Sequence, residues 1–532
     1  MTIRINNITL DIDDELELIN KKIAKKLKMP EVEIGKIKIV KESIDARRKN
    51  QIKFNYCVDI EHKEESKLVA KLNDKDVKIE TTKYNEEFQF GNKKLKHRPV
   101  VIGMGPAGLF AALLLAKKGY KPLVFERGEA VDERTKTVEN FWKTGKLNTE
   151  SNVQFGEGGA GSFSDGKLTT RIKDTRCDFV LEEFVKAGAP EEIIYKAKPH
   201  VGTDILKGVV KNIREEIKKY GGEVHFNSKL ETVIKRDGKI IGAIINGNEI
   251  PCEALILAIG HSSRDTYESI LNSGIHMIPK PFAIGVRIEH PQSLIDFNQY
   301  GNYSNHPKLK AAEYRLTYQS KALERAVYSF CMCPGGVVVG ASSEEERLCV
   351  NGMSYHARDK ENANSALVVT VGPNDFEGSS PLSGMEFQRH YESLAYKLGG
   401  ENYTAPVQLV GDFLNDKNST KLGKVNPSIV PAYEFRELKN CLPHYVIETL
   451  KEGLVDFNKK IKGFSDDHAV MTGIESRTSA PVRIERNEKL ESISLSGVYP
   501  AGEGAGFAGG IISAAVDGLK VAESIMKEYA QK

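Results

Sequence analysis

The spacing of apolar positions in the first 97 residues predicts a small domain of its own. Stretches that alternate between apolar and polar residues have the period of β-strands, whereas apolar residues three to four apart have the period of helices. The predicted strands are residues 4–10, 36–40, 51–60 and 76–81, and the predicted helices are residues 13–28 and 64–72. The order βαββαβ is that of a ferredoxin-like α+β domain, which a basic linker at residues 91–98 joins to the rest of the chain.

The pattern changes at residue 98, where short apolar runs begin to alternate with helices. Residues 99–103 are an apolar run that ends in glycine, residues 106–118 are a helix rich in alanine and leucine, and residues 121–126 are a second buried strand. This is the first βαβ unit of a parallel, doubly wound sheet. A long helix is then predicted at residues 203–220, and strands are predicted at residues 223–226, 231–236, 240–245 and 254–259. We therefore predict a Rossmann-type domain whose first part is residues 98–278.

Residues 279–465 have a different pattern, in which mixed strands and glycine turns are predicted and few segments have regular helical spacing. We interpret this segment as an inserted mixed α+β substrate or cap domain. Residues 466–532 are predicted to return to the nucleotide-binding domain and to end in a helix from Ile511. The predicted fold class is therefore α/β, with a Rossmann-type domain, an inserted cap domain and a small N-terminal α+β domain.

The composition of the 532 residues is that of a globular protein, with 40% hydrophobic and 28% charged residues. A net charge of +3 favours neither a nucleic-acid binder with a large basic face nor a trap for acidic substrates. No apolar run approaches the roughly 18–20 residues of a membrane span, and the N-terminus does not have the pattern of a signal peptide. The seven cysteines do not form a disulfide framework, and no metal-ligand spacing occurs. We expect a reduced, cytoplasmic protein.

The motif G-M-G-P-A-G at residues 103–108 follows a predicted strand and opens a predicted helix, the context that dinucleotide binding requires. Gly103 allows a tight turn, Gly105 lets a pyrophosphate approach the backbone, and Gly108 lets helix and strand pack closely. The helix N-terminus supplies N–H groups and a positive dipole end to the phosphates. A carboxylate at Glu126 can accept both hydroxyls of an adenosine ribose but repels a 2′-phosphate, so FAD or NAD fits and NADP does not. The cofactor contacts predicted here are Gly103, Gly105, Pro106, Ala107, Gly108, Glu126 and Arg127.

Two further glycine-rich segments predict contacts with a large, flat ligand. Five glycines between residues 152 and 167 leave the backbone free to lie against it, and neighbouring side chains supply donors and charge. At residues 497–510 a strand and a glycine string precede a helix, and this order offers the Glu503 carboxylate to ribityl hydroxyls and a helix N-terminus to the negative charge of a reduced flavin. The predicted contacts are Gly158, Gly159, Gly161, Ser162, Asp165, Lys167, Gly502, Glu503, Gly509, Gly510 and Ile511.

Several segments carry a resemblance to known flavoproteins. Residues 99–126, 152–167, 254–260 and 497–518 together resemble the glutathione-reductase-like FAD superfamily, in its form with one Rossmann domain. Residues 152–167, 329–336, 351–356 and 500–510 are more narrowly similar to a bacterial family of FAD-dependent dehydrogenases, most of whose members have no known substrate.

The resemblance implies FAD as the cofactor. The implied contacts are Gly103, Gly105 and Gly108 on the pyrophosphate, Glu126 on the adenosine ribose, Glu503 on the flavin side, and Ala258 and Gly260 of an A-x-G strand end near the dinucleotide. Most of the superfamily has aspartate at the place of Glu503, so the resemblance leaves open which contact the longer side chain makes.

Two absences limit the mechanism. No second G-x-G-x-x-G follows a strand and opens a helix, so the sequence does not predict a separate NAD(P)H-binding Rossmann domain. NADH or NADPH is left as an electron donor that enters through the substrate cleft.

Cys331 and Cys333 do not form the C-x-x-C of a redox disulfide, although residues two apart on a strand point to the same side. Apolar packing and redox chemistry both stay open for this pair, with packing favoured.

For acid–base chemistry the sequence offers His261, His356, Arg358 and Arg477, which we expect as a group on the cap-domain face of the flavin. Hydride would then pass between a small-molecule substrate in the cleft and flavin N5. A flavin monooxygenase, an RNA-associated flavoprotein and a structural or sensory flavin are the alternatives. The sequence identifies neither the substrate nor the oligomeric state.

Overall fold

The N-terminal part of the chain is a four-stranded antiparallel sheet with two helices. The computed structural model describes residues 2–80 and 88–531. In chain order this part contains β1 (Thr2–Asp11), α1 (Leu18–Leu27), β2 (Ile37–Asp45), β3 (Lys53–Ile60), α2 (Glu65–Leu72) and β4 (Val77–Glu80). The strands lie in the order β2-β3-β1-β4. The strand predicted at residues 76–81 is described up to Glu80, and Thr81 lies outside the described residues.

The remaining elements follow in three groups. The nucleotide-binding part contains β5 (Val100–Ile102), α3 (Pro106–Lys117), β6 (Leu123–Phe125), α4 (Val131–Thr144), α5 (Arg176–Lys186), α6 (Thr203–Lys219), β7 (Glu223–His225), β8 (Leu230–Arg236), β9 (Lys239–Ile245), β10 (Asn248–Pro251), β11 (Leu255–Leu257), α7 (Arg264–Asn272) and β12 (Met277–Pro279). The inserted part contains β13 (Phe282–Pro291), α8 (Gln292–Tyr300), β14 (Thr317–Gln319), β15 (Ala326–Cys333), β16 (Val337–Gly340), β17 (Val350–Met353), β18 (Asn362–Val371), α9 (Ser383–Leu398), β19 (Ala405–Leu409), α10 (Val410–Leu414), β20 (Tyr433–Phe435), α11 (His444–Lys460) and β21 (Val470–Glu475). The chain ends with β22 (Val482–Ile484), β23 (Val498–Pro500) and α12 (Ile511–Glu528).

A parallel sheet in the order β23-β11-β5-β6-β7 forms the centre of the nucleotide-binding part. Every residue of β5, β11 and β23 is buried, as expected for parallel strands with helices on both faces. Helix α3 packs against α12, and a Cβ added at Gly518 would overlap the carbonyl oxygen of Ala107, so glycine allows this close contact. The predicted Rossmann-type fold is confirmed.

A seven-stranded sheet in the order β14-β15-β18-β13-β21-β19-β20 forms the centre of the inserted part. Strands β13 and β18 pair antiparallel over their whole length, from Phe282 opposite Val371 to Pro291 opposite Asn362. Strand β21 falls within residues 466–532, which the sequence division assigned to the returning nucleotide-binding segment. It pairs instead with β13 and β19, so this sheet continues to Glu475.

The expectation of little clean helix in residues 279–465 is wrong. Helices α9 and α11 are 16 and 17 residues long. The buried face of α9 includes Gln388 and Glu392, which interrupt the apolar spacing from which a helix is predicted. Helix α11 has a regular apolar face and packs against β14, β15 and β18.

One apolar core joins the N-terminal sheet and the seven-stranded sheet, with Ile5 and Val58 from the first and Val286 and Leu367 from the second. A second core surrounds α3 and α12. The candidate site lies between the parallel sheet and the seven-stranded sheet. Across residues 2–80 and 88–531, no helix has both the length and the apolar character that are needed to cross a membrane.

Candidate active site

A cavity of about 260 Å³ lies beyond the carboxyl ends of β5, β11 and β23. This edge is where open parallel sheets bind their ligands. Ile102 of β5, Ala258 after β11 and Ala501 after β23 line the cavity from one side. Cys331 of β15 and Asn351 of β17 line it from the inserted part. One continuous cavity therefore joins the nucleotide-binding part to the inserted part.

Most of the predicted cofactor residues line this cavity. They are Gly103, Gly105, Pro106, Ala107, Glu126, Arg127, Gly159, Gly161, Asp165, Lys167, Ala258, Gly260, Glu503, Gly510 and Ile511. The others do not line it: Gly108, Gly158, Ser162, Gly502 and Gly509. A Cβ added at Gly108 would overlap the carbonyl oxygen of Gly103, and one added at Gly502 would lie 2.7 Å from the Cβ of Ala107. Both glycines therefore allow close packing behind the cavity wall.

The turn after β5 has the shape and the donors that a pyrophosphate needs. Gly103 has a left-handed φ of 94°. A Cβ on Gly159 would lie 3.0 Å from the Cα of Gly105, so two backbone segments meet here with no side chain between them. Helix α3 begins at Pro106, and no side chain of the described residues caps its first turn. Its N–H groups and positive dipole end are therefore available to an anion, which fits the diphosphate of FAD.

A buried acceptor in the cavity wall also fits a bound dinucleotide. Gln154 is only 8% exposed, and its Nε2 donates to the Ala341 carbonyl at 3.1 Å. Its Oε1 has no hydrogen-bond partner within the described ranges. Leaving such an acceptor unpaired costs about 1–3 kcal/mol, and a hydroxyl or N–H of a ligand in the cavity would remove that cost.

Glu126 is held rigidly at the end of the second parallel strand. Its Oε2 accepts a hydrogen bond from the Met104 N–H at 2.8 Å, and its Oε1 accepts from the N–H groups of Gly128 at 3.0 Å and Gly156 at 2.9 Å. A carboxylate has roughly four acceptor positions, so at least one stays open to a ribose hydroxyl. The carboxylate therefore also fastens the glycine-rich loop to the turn after β5.

Charged side chains surround the cavity wall beside Glu126. The Arg127 guanidinium lies over the Phe155 ring at 4.1 Å and pairs with Asp265 at 2.9 Å and with Glu150 at 2.8 Å. Lys229 pairs with the same Asp265 at 2.7 Å. Arg127 and Lys229 both line the cavity.

At the wall that faces the inserted part, Lys167 and Asp165 lie side by side. Lys167 Nζ is 3.1 Å from Asp165 Oδ2, and Arg358 Nε donates to Asp165 Oδ1 at 3.0 Å. Burial raises the pKa of Asp165, but the charges of Lys167 and Arg358 outweigh it, and the net pKa is below its usual range. Asp165 is therefore anionic, and Arg358 acts on the cavity through Asp165 rather than by lining it.

Of the four predicted acid–base residues, His261 lines the cavity. Its Nδ1 lies 2.8 Å from the Ser262 hydroxyl. Burial, together with the charges of Arg477 and Arg264, lowers the pKa of His261 to about 3. The ring is therefore neutral at neutral pH, and it can accept or donate a hydrogen bond.

The structure does not bring all four residues to the cavity, because His356, Arg358 and Arg477 are not among its lining residues. The His356 ring stacks on His200 at 5.1 Å, and its Nδ1 is 3.0 Å from the Val201 carbonyl oxygen. Arg477 is held by Glu392, with Nη2 at 2.9 Å from the carboxylate. Tertiary contacts, which the sequence does not reveal, hold both side chains, although the Arg477 charge still acts on His261.

Glu503 follows β23 and lines the cavity. Burial raises the pKa of its carboxyl group to about 7, against the opposing charge of Lys280. At neutral pH this group is thus partly protonated, whereas an ordinary glutamate would be ionised.

Several lining residues were not predicted. Those with polar side chains or on the loops of the cavity wall include Gln154, Phe155, Gly156, Ser228, Lys229, Ser262, Ser263, Thr266 and Asn351, with Cys331 left undecided. Gln154 and Gly156 belong to the glycine-rich loop, and Ser262 and Ser263 closely follow the A-x-G strand end. Their place next to predicted cofactor motifs is a sequence signal from which a position at the cavity could have been predicted. Asn351 opens the segment 351–356 that resembles the bacterial family, whereas Lys229 carries no local signal. In the part of the chain that the structure describes, no group of three or more His, Cys, Asp or Glu side chains is placed to hold a metal ion.

Three family models match the chain. Residues 97–274 match the model described as pyridine nucleotide-disulphide oxidoreductase, and residues 281–478 match that of an FAD-dependent protein, C-terminal domain-like. Residues 2–61 match a domain of unknown function. The first range covers β5 to β11 of the nucleotide-binding part, and the second covers the seven-stranded sheet. The third covers three of the four strands of the N-terminal sheet.

Among similar proteins, an uncharacterized protein from Clostridium beijerinckii is 66% identical over 99% of both chains. Protein FixC from Escherichia coli is 26% identical, over 38% of this chain and 46% of its own length. A geranylgeranyl bacteriochlorophyll reductase-like structure from Thermoplasma acidophilum has 14% identity and a TM-score of 0.35, covering 81% of this chain and 78% of its own. The structure of glycine oxidase from Geobacillus kaustophilus has 10% identity and a TM-score of 0.35, and the match covers 82% of this chain and 96% of that chain.

Proposed function

Because the chain belongs to a bacterial family of FAD-dependent oxidoreductases, we propose that it transfers hydride between the flavin and a small-molecule substrate bound beside the inserted part. When bound, FAD supplies a centre at N5 that accepts or donates hydride. The protein's own contribution is to bind, to orient, to exclude water and to manage protons.

The observation that carries this proposal is the continuity of the cavity. Gly103 and Gly105 line it near the dinucleotide-binding turn, Glu503 and Ile511 line it at the start of α12, and Cys331 lines it from the seven-stranded sheet. A cavity that held only a dinucleotide would need no wall from a second sheet. The wall from the inserted part supports a place for a substrate next to the cofactor.

Two groups on the wall are suited to binding a substrate hydroxyl or amine and to taking its proton. The Glu503 carboxyl has a pKa of about 7, so at neutral pH it is ionised in part of the molecules and can accept a proton. The neutral His261 ring, whose Nδ1 is 2.8 Å from the Ser262 hydroxyl, is a weak base because its pKa is about 3, and it can instead hold a substrate hydroxyl or amine by a hydrogen bond. Hydride removal from such a substrate requires loss of a proton, so we assign proton acceptance to Glu503 and substrate orientation to His261.

Anaerobic reduction tests the proposal. The visible spectrum of the flavin-loaded protein is recorded before and after NADH, NADPH or a set of small amines and alcohols is added without oxygen. Bleaching of the flavin bands by at least one of these reductants, at a rate that falls in His261→Asn for an amine or alcohol, is the expected result. Bands that persist with every small-molecule reductant would contradict hydride transfer and favour a structural or sensory flavin.

A further inference from the structure

A short stretch of the nucleotide-binding part continues the N-terminal sheet. Strand β2 lies at the edge of this sheet, in the order β2-β3-β1-β4. The Glu42 N–H of β2 donates to the Tyr195 carbonyl oxygen at 2.7 Å, and the Ala197 N–H donates to the Glu42 carbonyl oxygen at 2.8 Å. Lys196 is thereby paired in parallel with Glu42. These bonds satisfy backbone groups that an open sheet edge would leave unpaired.

Further along, the same stretch is bonded to the glycine-rich loop at the cavity wall. The Leu168 N–H donates to the Pro199 carbonyl oxygen at 2.9 Å, and the Val201 N–H donates to the Gly166 carbonyl oxygen at 3.0 Å. We call residues 195–202, which end where α6 begins, the connecting segment. One stretch of eight residues is therefore bonded both to the N-terminal sheet and to the loop.

The bonded part of the loop carries two charged side chains of the cavity. Gly166 stands between Asp165 and Lys167, and both of these neighbours line the cavity. Lys167 itself forms an antiparallel bridge with His200 of the connecting segment. The backbone that aims these two side chains at the cavity is thus held by the connecting segment.

The connecting segment has little slack between its two bonded ends. Lys198 alone separates Ala197, which is bonded to β2, from Pro199, which is bonded to the loop. Two residue steps of extended chain span at most about 7 Å. A shift of the sheet edge is therefore passed on to the loop instead of being absorbed by a flexible linker.

The inserted part clamps the far end of the connecting segment. Buried His200 places its Nε2 at 3.0 Å from the His356 carbonyl oxygen, and the two rings stack at 5.1 Å. His356 Nδ1 lies 3.0 Å from the Val201 carbonyl oxygen. A Cβ added at Gly202 would lie 2.2 Å from the His356 nitrogen, so the two backbones approach closely here. This clamp limits the directions in which the segment can move.

We propose that the N-terminal sheet positions Asp165 and Lys167 through the connecting segment. Residues 2–61, which match a domain of unknown function, then serve the active site directly instead of forming an independent module. The apolar core that joins this sheet to the seven-stranded sheet keeps the domain docked even when the connecting segment is released. FAD in the cavity stabilises β2 in turn, because the coupling between two sites acts equally in both directions.

Hydrogen–deuterium exchange with and without FAD tests this coupling. In wild type we expect FAD to slow exchange at least threefold in peptides from β2, while α2, which packs against β1 and β4, exchanges as before. Ala197→Pro removes the N–H that binds the Glu42 carbonyl oxygen, and Ala197→Gly keeps it. The effect of FAD on β2 should be lost in Ala197→Pro and retained in Ala197→Gly, with FAD protecting the turn between β5 and α3 in all three proteins.

Labelling of lysine amines in FAD-free protein measures the position of Lys167 independently. In wild type Lys167 should react slowly with acetic anhydride, because its ammonium group is paired with Asp165 at 3.1 Å. We expect acetylation of Lys167 to be at least threefold faster in Ala197→Pro and unchanged in Ala197→Gly. Lys143 is exposed on α4 and serves as the internal control, which should react at one rate in all three proteins.

Three results would each overturn the inference. They are β2 exchange that FAD leaves unchanged in wild type, β2 exchange that FAD slows equally in Ala197→Pro, and acetylation of Lys167 at one rate in all three proteins. The wild-type exchange decides the question even if Ala197→Pro does not fold. Neither measurement requires a reduced flavin, so a coupled β2 together with a flavin that no donor reduces would contradict the proposed function alone.

Discussion

At the scale of single residues, the glycines of the first βα turn have two different tasks. Gly108 is required by packing, since a Cβ there would overlap the Gly103 carbonyl oxygen. Gly105 has room for a Cβ, whose nearest neighbour would be the Gly159 Cα at 3.8 Å, and it lines the cavity. The sequence motif predicts the same division, with Gly105 facing the pyrophosphate and Gly108 in the close packing behind it.

Gly105→Ala should therefore weaken FAD binding without unfolding the protein. The added methyl group fills space that the pyrophosphate needs, and we expect a dissociation constant at least tenfold higher, about 1.4 kcal/mol. Fluorescence titration of FAD-free protein measures the affinity, and urea unfolding of the same sample measures the stability. Gly208→Ala is the control, since α6 leaves open space at Gly208. Unchanged affinity in Gly105→Ala would place the pyrophosphate elsewhere.

A second prediction at this scale concerns Glu503, whose pKa of about 7 exceeds the ordinary value of 4.5. Between these two values the folded protein holds a proton that the unfolded chain has lost, so the stability of the folded state falls as the pH rises. Relative to Glu503→Gln, wild type should lose stability from about pH 4.5 to pH 7 and then level off. Urea unfolding of both proteins across this range measures the difference, and a flat difference would show that Glu503 ionises normally.

At the scale of elements, helix α4 fixes the glycine-rich loop through one arginine. Arg134 is completely buried and donates to four backbone carbonyls of the loop, those of Asn152 at 2.9 Å, Val153 at 3.0 Å, Glu157 at 2.7 Å and Gly159 at 2.9 Å. The sequence marks the loop as flexible by its glycines. In the structure, the hydrogen bonds from Arg134 of helix α4 hold the backbone of this loop in one conformation.

Arg134→Met should disorder this loop, because four buried carbonyl groups lose their donor. An unsatisfied buried polar group costs about 1–3 kcal/mol, so we expect a loss of at least about 3 kcal/mol of stability and of most FAD affinity. Thermal unfolding and FAD titration measure both effects. Lys136→Met, an exposed substitution on the same helix, should change neither of them. A folded Arg134→Met protein with normal FAD affinity would refute the assignment.

At the scale of the whole molecule, the elements predicted correctly from the sequence are those that a local pattern of residues determines. Apolar runs and glycine motifs located β5, α3, β6 and α12 and their order, and hence the Rossmann-type fold. His356, Arg358 and Arg477 do not line the cavity, and the side chains that hold them, those of His200, Asp165 and Glu392, come from distant segments. Helix α9 was missed because its buried polar residues serve an ion-pair cluster, in which Glu392 binds Arg264 at 2.7 Å. Tertiary contacts, rather than local periodicity, decide such positions.

The measurement that tests the central claim most directly is the visible absorption spectrum of the purified protein, with the released cofactor identified after denaturation. The account predicts the absorption bands of a flavin and a single FAD per chain, either retained through purification or restored when FAD is added. Protein that carries no flavin and does not bind added FAD would contradict the account at its foundation.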